Sequence, residues 1–184
     1  MFYEMTIAGC KRQLPLCPLN EDLHIAGFIM FGDVEITQRA AEELLKQAPE
    51  FDVIVTAESK GIPLAYEMAR QAGTNEYIVC RKEQKLYMPD AISTKVMSIS
   101  TDHVQTLVLS RHDASRIKDK RVLIVDDVIS TGGSVKSIET LIKQVGGQVV
   151  GRMTVLAEGD ASKRDDIIYL EHLPLFRGDG APIE

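Results

Sequence analysis

The sequence predicts an α/β fold: a twisted, mainly parallel sheet flanked by helices, with a small N-terminal hood and a mobile β-flap. Three observations carry this. Short apolar runs rich in β-branched residues, Val53-Ile-Val55, Tyr77-Ile-Val-Cys80 and Val122-Leu-Ile-Val125, read as strands buried on both faces. Helical periodicities alternate with them, over Ile36 to Ala48, about Pro63 to Gln71 and Val135 to Val145. Two of the strands also run into polar, glycine-containing turns just before a helix, the place where open α/β sheets bind ligands.

The bulk numbers exclude several classes. At 184 residues the chain is about one domain long and can bury a real core. Its 45% hydrophobic and 26% charged residues are ordinary for a soluble globular protein, and a net charge of −6 argues against a nucleic-acid partner. Nothing approaches the run of about 18 apolar residues that a membrane span requires. Glu4 stands where a signal peptide would be basic, so none is read. Cys10, Cys17 and Cys80 have no metal spacing and leave an odd thiol, which suits reduced cysteines in the cytoplasm. His24, His103, His112 and His172 show no ligand spacing and read as surface or flap residues.

Taken in order, residues 2–31 read as short strands. Tyr3 to Ile7 alternates, and Gly9 allows a turn. Leu14 to Leu19 carries two prolines that suit an edge or loop better than a central strand. A helix follows over Ile36 to Ala48 and ends at Pro49. The strand at Val53 leads into Thr56-Ala-Glu-Ser-Lys-Gly61 and a second helix, closed by Gly73. After the strand at Tyr77 come three cations in five residues, Arg81, Lys82 and Lys85. Residues 87–120 form a long insertion in which Thr94 to Ser100 and Val104 to Leu109 alternate like two antiparallel strands. Such a pair is marginal alone and mobile until something closes it. Gln148 to Ala157 is a further strand, residues 158–166 a polar loop, and Ile167 to Leu175 a final short strand region. The expected organisation is one domain over 1–184: a hood at 1–32, a core at 33–176 and a flap at 86–112.

The chemistry concentrates in Arg121-Val-Leu-Ile-Val-Asp-Asp-Val-Ile-Ser-Thr-Gly-Gly-Ser134. Asp126 and Asp127 stand where the strand is expected to end, and Ser130, Thr131, Gly132, Gly133 and Ser134 form a turn into the next helix. Glycines let the backbone approach an anion, and the first helical N–H groups are unpaired at the positive end of the dipole. Carboxylates suit sugar hydroxyls or a hydrated Mg²⁺. A ribose 5-phosphate satisfies both ends.

Val-Leu-Ile-Val-Asp-Asp-Val-Ile-Ser-Thr-Gly-Gly-Ser resembles the phosphoribosyl-pyrophosphate (PRPP) motif of the type I phosphoribosyltransferases. The Glu58-Ser-Lys-Gly61 turn and Arg81-Lys-x-x-Lys85-Leu are similar to segments of the adenine enzymes. The resemblance covers roughly residues 50–176. It implies a phosphoribosyltransferase-like fold and a PRPP- and Mg²⁺-dependent transfer to a purine by a homodimer, while charge, hydropathy and cysteine use lead to the expectation of a cytoplasmic protein that meets neither nucleic acid nor membrane. It also assigns roles. Ser130 to Ser134 would hold the 5′-phosphate. Asp126 and Asp127 would hold the ribose hydroxyls and a share of the Mg²⁺. Glu58, Ser59, Lys60, Gly61, Arg81, Lys82 and Lys85 would meet the pyrophosphate, and Val128, Ile129 and Glu158 the base. The 6-oxopurine enzymes commonly carry Asp where this chain has Ser130. They also have a lysine in the stretch that here reads Leu156-Ala-Glu-Gly-Asp160, so adenine is favoured. The flap glutamate of the adenine enzymes aligns with Ser100, leaving Asp102 as the candidate for proton transfer. A PRPP-sensing regulator, and an enzyme for a 6-oxopurine or pyrimidine base, are the alternatives.

Overall fold

The computed structural model describes residues 1–97 and 104–183. In chain order the elements are β1 (Phe2–Ile7), β2 (Cys10–Pro18), β3 (Leu23–Ala26), α1 (Val34–Leu45), β4 (Val53–Ala57), α2 (Ile62–Gln71), β5 (Ile78–Cys80), β6 (Ile92–Met97) and β7 (Val104–Leu109). They continue with α3 (Arg111–Ile117), β8 (Arg121–Ile129), α4 (Gly133–Gln144), β9 (Gln148–Glu158), a 3-10 turn (Gly159–Lys163), β10 (Ile168–Leu173), β11 (Leu175–Arg177) and β12 (Pro182–Ile183).

The central sheet has the order β10-β9-β8-β4-β5, and every neighbouring pair in it is parallel. Alternation along its strands divides the apolar residues between two cores. Ile54, Leu123, Val125, Met153 and Val155 pack with α1 and α2 through Ile36, Ala40, Leu44, Leu64 and Met68. Val53, Val55, Val122 and Ile124 pack with α3 and α4 through Ile117, Ile138, Leu141 and Ile142. Continuous apolar runs are what a sheet covered on both faces requires, as the sequence predicts.

A second sheet, β1-β2-β3-β11-β12, forms the hood. It takes strands from both ends of the chain: β11 pairs antiparallel with β3, Phe176 opposite His24, and Phe176 is wholly buried against Tyr3. Arg12 of β2 ties this sheet to α1. Its Nε donates to Asp33 at 2.6 Å and its Nη2 to Glu35 at 2.9 Å. Asp33 also caps the helix, accepting the Ile36 N–H at 3.1 Å.

Four expectations are corrected. The proline-bearing stretch after Leu14 belongs to β2, which lies between β1 and β3. It is tolerated because β1 pairs with Cys10–Pro15 and β3 with Leu16–Pro18, so no β2 residue is paired in both ladders. The central strand does not stop at Val125: β8 runs on to Ile129 and carries Asp126 and Asp127 within it. The final strand region is broken after Leu173, and its last residues turn back into the hood as β11. Residues 111–117, expected inside the insertion, form α3. There Ser110 Oγ accepts the Asp113 N–H at 3.0 Å.

The expected flap strands pair as an antiparallel hairpin, Ile92 opposite Leu109 and Met97 opposite Val104. Leu107 and Leu109 anchor its base in the α4-side core. Ser100, Asp102 and His103 lie outside the described residues. No described helix is long and apolar enough to cross a membrane.

Candidate active site

The cleft arises where two strands part. β4 and β8 pair only from Val53 opposite Val122 to Val55 opposite Ile124. Beyond that point Thr56 and Ala57 pair with β5 alone, and Asp126, Val128 and Ile129 with β9 alone. From here the chain winds outward in opposite directions, to β5 on one side and to β9 and β10 on the other. This is the topological switch point of an open α/β sheet. A cleft of about 560 Å³ opens there. Its walls are Ala57 to Lys60 after β4, Lys82 after β5, Thr106 and Leu107 of β7, and Asp126, Asp127 and Val128 of β8, with Ser134 beyond.

The two adjacent carboxylates differ in environment. Asp127 is only 3% exposed, and its Oδ2 is buried without a hydrogen-bond partner. Lys60 Nζ lies 3.6 Å from that oxygen. Asp126 accepts the Asp127 N–H at 3.0 Å. Burial first, and then the charge of Asp127, push the Asp126 carboxyl up to about 8. A cation or hydroxyl donors arriving at the cleft would favour the charged form of Asp126. Gly61 lets the turn approach: a Cβ there would lie 2.5 Å from Thr56 Oγ1, 2.9 Å from Asp126 Oδ1 and 3.2 Å from the Asp126 Cα.

The glycine turn builds the second part of the site. Gly132 is the N-cap of α4 in the left-handed region, φ 77° and ψ 12°, and no side chain caps the helix. The first turn of α4 holds no acidic residue. A hollow of about 110 Å³, lined by Asp126 and residues 128–135, sits over these N–H groups. Donors converge there, and among the described residues nothing accepts them, which is the chemistry of an anion site.

On the opposite wall, Glu58 accepts the Lys82 N–H at 3.0 Å and lies 3.1 Å from Arg81 Nη2. The Lys82 N–H and the neighbouring cations hold its carboxyl below the ordinary glutamate range. The Glu58–Ser59 peptide is cis.

The predicted site residues are therefore not equivalent. Glu58, Ser59, Lys60, Lys82, Asp126, Asp127, Val128 and Ser134 meet in the cleft. Arg81 is tied to Glu58 and lines a separate hollow beside Tyr87 and Met88. Lys85 pairs with Glu83 and does not line the cleft. Ile129 is 2% exposed and packs under α4, so its neighbour Val128 supplies the apolar wall. Glu158 ends β9, and burial raises its carboxyl above the ordinary range. Thr106 and Leu107 are cleft residues that the sequence reading missed. Their place follows from the hairpin's docking, a non-local contact with no motif.

The fold is an open parallel sheet whose switch-point cleft brings together half-buried Asp126, buried Asp127, an uncapped glycine-rich helix start and nearby lysines. Residues 33–174 match the phosphoribosyl transferase domain, and the chain belongs to that family. It is 36% identical over 154 residues to an adenine phosphoribosyltransferase of Acetivibrio thermocellus, covering 80% of this chain and 84% of that one. It is 35% identical over 114 residues to an adenine phosphoribosyltransferase of Cenarchaeum symbiosum, covering 61% of this chain and 64% of the relative's length. The crystal structure of adenine phosphoribosyltransferase from Thermoanaerobacter pseudethanolicus shares the fold, with a TM-score of 0.71 at 20% identity. That likeness spans 87% of this chain and 95% of the other.

Proposed function

We propose that this chain is a purine phosphoribosyltransferase. It transfers the 5-phosphoribosyl group of PRPP to a purine base, adenine in preference, releasing pyrophosphate and forming a nucleoside monophosphate. The observation that carries the reading is the meeting, in one switch-point cleft, of half-buried Asp126, buried Asp127 and two lysines with Ser134 of the uncapped α4 turn, whose N–H groups face the adjoining hollow. The adenine preference is supported by what the matched relatives are, by Ser130 in place of a carboxylate, and by the absence of lysine from Leu156 to Asp160.

In this reading the N–H groups of residues 130–134 bind the 5′-phosphate and fix one end of the sugar. Asp126 and Asp127 accept the ribose hydroxyls. As the bond from C1 to the pyrophosphate oxygen breaks, their charge favours the cationic ribose. Lys60 and Lys82 receive the departing pyrophosphate, while Arg81 holds the loop through Glu58. Val128 offers the base an apolar face, and Glu158 stands at the end of the neighbouring strand. Closure of the hairpin over the cleft excludes water that would capture the ribose cation. Asp102 is the proposed proton-transfer residue.

A Mg²⁺ fits the residues present. Among the described residues nothing hydrogen-bonds the buried Asp127 oxygen, and Mg²⁺ in such sites rests on one or two carboxylates with substrate phosphates and water. Asp126 and Asp127 would hold it, and it would supply charge neutralisation at the pyrophosphate.

A homodimer is part of the same proposal, supported by the exposure of the large apolar residues Ile29, Phe31, Val34 and Tyr66. Sedimentation at the monomer mass would refute it. A reducing, cytoplasmic setting is supported by three unpaired cysteines, of which Cys10 and Cys80 are buried. Finding Cys17 disulfide-linked in protein isolated under thiol-trapping conditions would contradict that.

The test of the catalytic reading is the variant with Asp126→Asn and Asp127→Asn. It is expected to fold and to lose turnover by several orders of magnitude. Full activity in that variant would overturn the proposal.

A further inference from the structure

Arg164 lies outside the motif, at the end of the 3-10 turn that follows β9. Its Nε and Nη2 donate to Oδ1 and Oδ2 of Asp166, both at 2.8 Å, which fixes the plane of the guanidinium. The third nitrogen, Nη1, points instead at the phosphate turn, into the space that a Cβ on Gly132 would occupy. Asp166 is itself held: Arg152 of β9 reaches its Oδ2 at 3.8 Å and is ion-paired with Glu139 of α4. A chain of alternating charge thus runs from the second turn of α4, through β9 and the following loop, back to the start of α4.

Asp166 balances the Arg164 charge, while Nη1 faces the positive end of the α4 dipole. A cation at the positive end of a helix is repelled by the dipole. α4 has no acidic residue in its first turn and no side-chain cap to offset it. An anion seated on the turn reverses the sign of that interaction.

We propose that Arg164 is a further binding residue for the 5′-phosphate, with Nη1 donating to a phosphate oxygen held on the N–H groups of residues 130–134. This rests on the reading of that turn as a 5′-phosphate site. Asp166, and behind it Arg152 and Glu139, are positioning residues that keep Nη1 over Gly132. Gly132 then serves two ends: it adopts the left-handed backbone, and it leaves room for the guanidinium.

The test is calorimetric titration of AMP, adenine and Mg²⁺-pyrophosphate into the wild type, Arg164→Gln, Arg164→Lys and Asp166→Asn. Arg164→Gln is expected to weaken AMP about tenfold, the scale of one charge-assisted hydrogen bond, with adenine and pyrophosphate unchanged. Arg164→Lys should recover part of the loss, and Asp166→Asn should fall between wild type and Arg164→Gln. AMP binding to Arg164→Gln as to wild type would overturn the inference. Equal weakening of AMP and adenine would also overturn it, because it would mark a merely structural loop. A wild type that bound pyrophosphate but not AMP would instead refute the 5′-phosphate reading beneath it.

Discussion

Asp126→Asn separates what the cleft does for stability from what it does for function. The substitution removes one ionisation of the acidic pair, yet keeps an oxygen to accept the Asp127 N–H at 3.0 Å. In the folded protein the Asp126 carboxyl is raised from 3.8 to about 8, first by burial and then by Asp127, against a smaller opposing effect of Lys60. Between those two values the folded state binds more protons than the unfolded chain, so stability falls as pH rises from about 4 to about 8. Above that interval the loss is complete. A little over four units at about 1.4 kcal/mol each sets an upper bound of about 6 kcal/mol. The high effective dielectric of a cleft open to water brings the expected figure to about 2–3 kcal/mol. The asparagine variant should therefore exceed the wild type by that amount at pH 8 and match it near pH 4, while losing turnover. Urea unfolding followed by circular dichroism at the two pH values measures the difference. A variant no more stable than wild type at pH 8, or equally stabilised at both, would refute the reasoning.

Two further substitutions test other parts of the structure. Gly61→Ala drives a methyl against Thr56 Oγ1 and the backbone of Asp126. It should cost about 1–3 kcal/mol in thermal unfolding and lower kcat/KM for PRPP at least tenfold, and wild-type kinetics would contradict the packing account. Asp33→Ala removes the α1 cap and the Arg12 partner that joins the hood to the core. A loss of about 1–2 kcal/mol is expected, and none in the chemical step at saturating substrate.

Much of the core was legible because its signals are local. Val53-Ile-Val55 and Val122 to Val125 announce strands buried on both faces, and Asp-Asp followed by Ser-Thr-Gly-Gly-Ser announces both ends of the cleft in one motif. What was not legible depends on partners distant in sequence. Whether Pro15 and Pro18 could enter a strand was decided by β1 and β3 sharing β2 in succession. The length of β8 was decided by β9, which keeps pairing past Asp126 after β4 has turned away. Thr106 reaches the cleft only because Leu107 and Leu109 anchor the hairpin beneath it, and Phe176 enters the hood only because the chain returns to β3. The helix at Arg111 was legible in principle: Ser110 stands three residues before Asp113, the spacing of a capped start.

The central claim is tested most directly by pyrophosphate release from PRPP and Mg²⁺ against adenine, hypoxanthine, guanine, xanthine, uracil and orotate. The account predicts release with adenine, accompanied by AMP, and little with the other five. Release with a 6-oxopurine in preference would contradict the weight placed on Ser130 and the 156–160 segment. Binding of PRPP without release for any base would contradict the enzyme itself and leave a PRPP-sensing regulator in its place.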